Sequence, residues 1–376
     1  MGGLCLGRTF IGERYMYLTK EAFTLEIEKI DPNFRKEVCE RLDNKVCYSI
    51  PNDQFDLYGV FYDGDLNQFV RMNHNVAQEV SDKVGYLATQ TSGGRLRFST
   101  DSSVIGISVK YPSLHPMSNM PLTGSCGFAL VEKTGDIYKT VAIFRPQPDE
   151  KNGYTGEVKI KSQGRHEYIL FFPLYNAVSE LNIYLDESAK LYEPEKYRDI
   201  APILYYGASI DQGACASRPD CCYPAMLSKW NDIDYINLGF SGNCKGEPLM
   251  AEYLSGIDCS LLFMAYDGNV GVEHLERTHF RFYEIYRQAK KDVPVIFMSV
   301  PCFDNYPNTQ ERREILRQSF LKARKQGDDH VYFIDGETLF GEEDREICTV
   351  EGIHPNDLGF YRIATVIREL YREINL

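Results

Sequence analysis

From Pro202 onward the chain repeats one pattern, an apolar run of strand length followed by a segment with helical spacing. The runs are "PILYYGAS", "YINLGFSG", "SLLFMAYDGN", "VPVIFMSVP" and "HVYFIDG". A strand that is apolar on both sides belongs in a sheet with both faces covered, and helices between such strands make that sheet parallel. Leu275, His279, Phe282, Tyr286 and Ala289 form one helical stripe, and Phe360, Ile363, Ala364, Ile367, Leu370, Tyr371 and Ile374 form another at the end of the chain. In such sheets ligands gather beyond the carboxyl ends of the strands. That edge should carry the ends of "YYGAS", "NLGFSG", "AYDGN" and "SVPCF".

The first half has a different texture. "RLRFSTDSSVIGISVKY" places Leu96 and Phe98, then Ile105, Ile107 and Val109, at strict alternation. "GEVKIKS" and "SELNIYL" repeat the period with Val158, Ile160, Leu181, Ile183 and Leu185. The turn signals "SGG", "TGD" and "KNG" separate these runs, as in an antiparallel β-sandwich. A helix is expected before them, with Asp31 as cap, Pro32 in the first turn and Phe34, Val38 and Leu42 on one face. The texture changes near "DESAKLYEPEKYRDI". The expected organisation is a β-sandwich domain over 1–190, with a short helical extension at its start, and an α/β domain over 200–376.

The balance of 41 basic to 54 acidic side chains gives a net charge of −13, which disfavours nucleic acid and anionic membranes as partners. The first residues lack a signal-peptide pattern, Leu6 stands where a myristoylation signal needs Ser or Thr, and no stretch approaches a spanning helix. Eleven cysteines without a C-x-x-C pair read as thiols in a reducing cytoplasm, the expected location. Cys215, Cys221 and Cys222 lie near Ser209, where they either fill space or include a reactive thiol.

Four strand or loop ends carry chemistry: Ser209 in "GASIDQG", Gly242 with Asn243 in "GFSGN", Asn269 in "AYDGN", and Glu351 with His354 in "EGIHPND". A hydroxyl becomes a nucleophile when a base takes its proton, and histidine titrates in the right range. Glu351, three residues ahead, can reach the other ring nitrogen and fix the tautomer. Each residue also has an ordinary role: Ser209 as helix cap, His354 as turn residue, Glu351 as solvated charge, Asn269 as Asx-turn. Competing motifs fail. Asp211 breaks G-x-S-x-G, "GFSGNCKGE" lacks phosphate-loop spacing, and His274 and His279 stand five apart.

With these residues in place, the second half resembles the SGNH (GDSL-type) hydrolases, whose signature residues are Ser, Gly, Asn and His. Ser209 matches the first block, Gly242 the second, Asn269 the third and His354 the last. The resemblance implies a flavodoxin-like three-layer α/β/α domain. It also implies an oxyanion hole of the Ser209 and Gly242 amides with the Asn269 side chain, and no metal or organic cofactor. "RFSTDSSVIGISV", "PLTGSCGFAL" and "FPLYNAVSELNIYL" are similar to the jelly-roll-like accessory domain of a bacterial carbohydrate-esterase-like subset. The family has Asp three residues before the histidine, where this chain has Glu351.

The expected function is therefore a serine esterase that removes short acyl groups, most simply acetyl, from carbohydrate hydroxyls. Catalysis would use Ser209, His354 and Glu351, with a small acylated oligosaccharide as substrate and homo-oligomers allowed. The alternatives are a lipase or thioesterase with the same site, and a carbohydrate-binding protein with an inactive hydrolase domain. The small residues Gly207 and Ala208 are expected to leave room for an acyl carbonyl, and the segment "YPSLHPMSNMPLTGS" (111–125) to reach the substrate.

Overall fold

A computed structural model describes residues 44–376 except 302, 303 and 305; the helix expected around Asp31–Leu42 lies outside these, as does part of "SVPCF". The five apolar runs form the parallel strands Ile203–Gly207, Tyr235–Gly239, Leu261–Ala265, Val295–Met298 and Val331–Ile334. Numbered along the chain, their order across the sheet is 2-1-3-4-5, the flavodoxin-like arrangement. Alternate residues feed opposite cores: Ile203, Tyr205, Phe263, Ile296 and Met298 on one face, Leu204, Tyr206, Met264, Val295 and Phe297 on the other. That double burial is why the runs read as continuously apolar rather than alternating.

The helices Tyr223–Asn231 and Asp357–Glu373 supply the first face, with Leu227, Phe360, Ile363, Ala364, Ile367 and Tyr371 in its core. Pro248–Ser255, Val272–Ala289 and Thr309–Lys325 supply the second. On Val272–Ala289 the expected residues Leu275, His279, Phe282 and Tyr286 are buried, whereas Ala289, at the last turn, is exposed. Two short helices from the first half, His74–Val80 and Asp82–Ala88, add Ala77, Val84, Leu87 and Ala88 to this second face.

The first half is a sandwich of two antiparallel sheets. Lys45–Ile50, Glu180–Asp186, Val104–Lys110 and Gly153–Lys159 lie side by side in one. The other contains Leu191–Tyr192, Arg95–Thr100, His166–Phe171, Phe128–Thr134 and Ile137–Phe144, with Asp56–Tyr58 against Arg95–Thr100. The alternating residues meet between them: Leu96, Phe98, Ile105, Ile107, Val109, Leu181, Ile183 and Leu185 are all buried in one cluster.

The opposite side of the second sheet is also buried. Ala129, Val131, Ile169 and Phe171 share a cluster with Ile203 and Tyr205 of the parallel sheet. Arg95 and Arg97, which alternate with Leu96 and Phe98, point the same way and are almost fully buried. Arg95 pairs with Asp234 and lies over the Tyr235 ring at 3.8 Å, and Arg97 reaches Asp232 at 3.4 Å. The polar phase of "RLRFST" thus faces the second half of the chain rather than solvent.

Candidate active site

Strands Ile203–Gly207, Tyr235–Gly239 and Leu261–Ala265 are neighbours and end level, with Gly207 beside both Gly239 and Ala265. Ser209, Gly242 and Asn269 follow these ends by a few residues each and so share one edge of the sheet.

Ser209 is the first residue of a four-residue helix, Ser209–Gln212, and Ala208 holds the cap position. The capping work falls to Asp211, whose buried carboxylate accepts from the Ala208 N–H at 2.6 Å and from the Tyr223 hydroxyl. This frees the Ser209 hydroxyl. Gly207 has a reason other than the expected one: a Cβ there would lie 2.1 Å from Asp211 Oδ2, so the missing side chain makes room for that carboxylate rather than for an acyl group. Burial pushes the Asp211 carboxyl up to about 7.

The distant partner arrives from the loop before the last helix. Asn356 caps Asp357–Glu373 by accepting from the Gly359 N–H at 3.1 Å, and Asp357 accepts from the Ser217 N–H at 2.8 Å. The Cys215 N–H donates to Pro355 O at 3.3 Å. Held between these contacts, His354 places Nε2 2.8 Å from Ser209 Oγ. Its Nδ1 is hydrogen-bonded to Glu351 Oε1, which also accepts from the His354 backbone N–H at 3.0 Å. Partial burial works to raise the Glu351 carboxyl, but the amide and ring of His354 and the Asn119 side chain outweigh it and hold the group below its ordinary range. An ionised Glu351 accepts the Nδ1–H and leaves Nε2 as the acceptor facing the serine.

Gly242 is exposed, has φ +68° in the left-handed region, and faces open space where a Cβ would sit. Asn269 stands in the turn Asp267–Asn269 and donates from its amide to Phe240 O at 3.1 Å. A side-chain amide has two N–H groups, so this bond ties the Asn269 turn to the Gly242 loop and leaves a second donor. Sequence reasoning missed the supports beneath. Asp267, buried and pushed up to about 6 by that burial, accepts from the Val300 N–H at 3.1 Å, and Arg312 donates to the carbonyls of Asp267 and Val270. Gln212 Oε1 accepts from the Ser241 N–H at 3.0 Å. Tyr175, from the first half, donates its hydroxyl to Ser209 O at 3.2 Å. These are polar side chains buried in their own elements, a signal no local motif carries.

The three nearby cysteines are free and buried. Burial pushes Cys215 and Cys222 up to about 12 and Cys221 to about 11, so they stay thiols at neutral pH and belong to the packing. Cys215 Sγ lies 3.8 Å from Glu351 Oε2, and one ligand atom each of Cys215, Glu351 and His354 fall within 4.8 Å of one another. That trio has the donor types of a zinc site, but the Nδ1 and Oε1 atoms already share a proton. Among the described residues, no helix is long and apolar enough to cross a membrane.

Residues 200–372 match the model of a GDSL-like lipase/acylhydrolase family, and 48–191 match that of the N-terminus of SGNH-hydrolase-type esterases. No curated protein matches the sequence. Among solved structures, a GDSL-like lipase candidate from Bacteroides ovatus is 27% identical at a TM-score of 0.79, over 88% of this chain and 98% of that one. A salicylyl-acyltransferase from a tetracycline biosynthetic pathway is 20% identical at a TM-score of 0.70, over 89% and 99%. A family two carbohydrate esterase from Clostridium thermocellum, solved with cellohexaose, is 14% identical at a TM-score of 0.56, over 88% and 99%. The last two share the fold.

Proposed function

The chain belongs to the GDSL-like (SGNH) hydrolases, a family of carboxylic ester hydrolases, and from that premise we propose that it removes short acyl groups, acetyl above all, from carbohydrate hydroxyls. The observation that carries the reading is the relay from Ser209 Oγ through the His354 ring to Glu351. His354 Nε2 takes the hydroxyl proton as Ser209 Oγ bonds to the ester carbonyl carbon. The carbonyl oxygen becomes an oxyanion, received by the amides of Ser209 and Gly242 and the free N–H of Asn269; each donor of this kind lowers the barrier by about 3 kcal/mol. The C–O bond to the sugar breaks, and its oxygen leaves with the proton from His354. Water, deprotonated by the same ring, then attacks the acyl-serine, and Ser209 recovers its proton as the free acid departs. Glu351 remains ionised throughout and stabilises the charged ring.

Support for the sugar comes from the fold shared with the cellohexaose-bound esterase and with an acetyl xylan esterase from Butyrivibrio proteoclasticus. The likeness to a lipase candidate keeps longer acyl chains as the second reading. Acetate release from acetylated oligosaccharides, compared for wild type and Ser209→Ala, tests the proposal. Wild type should release acetate and the variant at least about a thousandfold more slowly. Equal rates would overturn the reading, and preference for octanoyl or longer esters would replace it with the lipase.

A further inference from the structure

Strand Tyr235–Gly239 runs into the loop that carries Gly242, and a buried side chain from the first half of the chain holds that strand end. Arg71 follows the short strand Gln68–Val70 and is 3% exposed. Its Nη1 donates to the carbonyls of Asn237 at 2.9 Å and Gly239 at 2.8 Å, and its Nη2 to Leu87 O at 2.6 Å. The guanidinium also lies over the Phe240 ring, 5.0 Å from its centre. All three acceptors are backbone carbonyls, so the charge is buried among dipoles rather than against a carboxylate. Burial pushes the group down to about 10, which leaves it a cation at neutral pH.

The Gly239 carbonyl belongs to the same rigid peptide unit as the Phe240 N–H, which donates to Gly207 O at 2.8 Å, two residues before Ser209. A cation on the carbonyl polarises that unit and strengthens the bond its N–H makes. In the next unit the Phe240 carbonyl accepts from Asn269 Nδ2 at 3.1 Å, and the Ser241 N–H donates to Gln212 Oε1 at 3.0 Å. The Asn243 N–H returns to Phe240 O at 2.8 Å. Gly242 lies inside that return and has no side chain to hold it, so its amide takes its direction from the clamped units before it.

From this geometry we infer that Arg71 is a positioning residue of the active site, supplied by the first half of the chain, which clamps the Gly239–Phe240 peptide and through it aims the Gly242 amide and the Asn269 side chain at the oxyanion. Its planar fork suits the task, because one nitrogen spans two carbonyls of the strand end while the other is anchored on Leu87. The inference rests on the oxyanion hole proposed above, and it makes that hole depend on a residue far from the signature blocks.

The test compares Arg71→Met, which fills the space without donors, with Arg71→Lys, which keeps a cation that can donate to the same carbonyls. On phenyl acetate Arg71→Met should lower kcat about tenfold with KM within about twofold, since a displaced oxyanion donor costs less than a deleted one. Arg71→Lys should restore kcat to within about threefold of wild type. Phenylboronic acid, whose tetrahedral adduct on Ser209 places an oxygen in the same hole, should bind Arg71→Met more weakly by the factor that kcat falls. Unchanged kcat, a loss confined to KM, or a kcat loss that boronate binding does not follow would overturn the inference. If Arg71→Met does not fold, Arg71→Gln, too short to span the three carbonyls, takes its place with the same outcomes. Ser209→Ala separates the two levels. Serine-dependent turnover untouched by the Arg71 substitution sinks only the positioning role. Should wild type show no turnover, amide hydrogen exchange still decides. The Phe240 N–H should exchange at least about tenfold faster in the variant, while the Leu262 N–H, bonded to Pro294 O in strand Leu261–Ala265, stays unchanged. Equal exchange at Phe240, or a rise that Leu262 shares, refutes the role.

Discussion

Asp211 caps the short helix that begins at Ser209, and its burial sets a pH dependence. Its folded carboxyl, pushed up to about 7, lies above the unfolded value of 3.8, and Asp267 is pushed up to about 6. Between those limits the unfolded chain has released protons that the folded chain still holds, so ionisation favours unfolding. Stability should therefore fall as pH rises from about 4 to about 7, and fall less in Asp211→Asn, which denaturant midpoints across that range will show. Glu351 has the opposite sign. Its lowered carboxyl contributes stability above the unfolded value that is lost as pH drops through the folded one. Gly207→Ala forces a Cβ against the Asp211 carboxylate and should cost about 1–3 kcal/mol, measured by the same denaturation. The signature residues were legible because their types are few and their chemistry is specific. Asp211, Asp267 and Tyr175 were not, since each gains its role only from a partner that folding brings alongside.

At the scale of elements, the placement of His354 depends on a helix end. Asn356 caps a helix whose apolar stripe, from Phe360 to Tyr371, is locked into the core, so the residues just ahead of the cap inherit its position. Asn356→Ala should cost about 1 kcal/mol of stability and lower kcat more than it raises KM, because the histidine loses its register with Ser209. Steady-state kinetics beside thermal melts test this, and a loss of stability with unchanged kcat would refute it. The parallel strands and this helix could be read from sequence because burial on both faces, or on one stripe, leaves an unbroken pattern. Phe128–Thr134 and Ile137–Phe144 escaped the reading. The first is buried along most of its length and the second only partly covered, so neither gives a clean alternation.

For the molecule as a whole, the two halves are expected to unfold together. They share a core in which Met120, Val131, Ile169, Phe171 and Tyr175 meet Ile203, Tyr205, Cys215 and Tyr223, and the Arg95–Asp234 pair lies within their contact. The single tryptophan, Trp230, lies in the second half and packs against this core, whereas strand content is concentrated in the first. Tryptophan fluorescence thus watches the second half, and pulse-labelled hydrogen exchange of the sandwich strand amides across denaturant watches the first. Their denaturation midpoints should coincide. Arg95→Ala leaves Asp234, which is largely buried and already raised by that burial, without its counter-ion, and should lower both midpoints together, with a loss of stability of about 3–5 kcal/mol. Midpoints that separate, or a variant that moves the strand exchange alone, would mean that the halves stand independently.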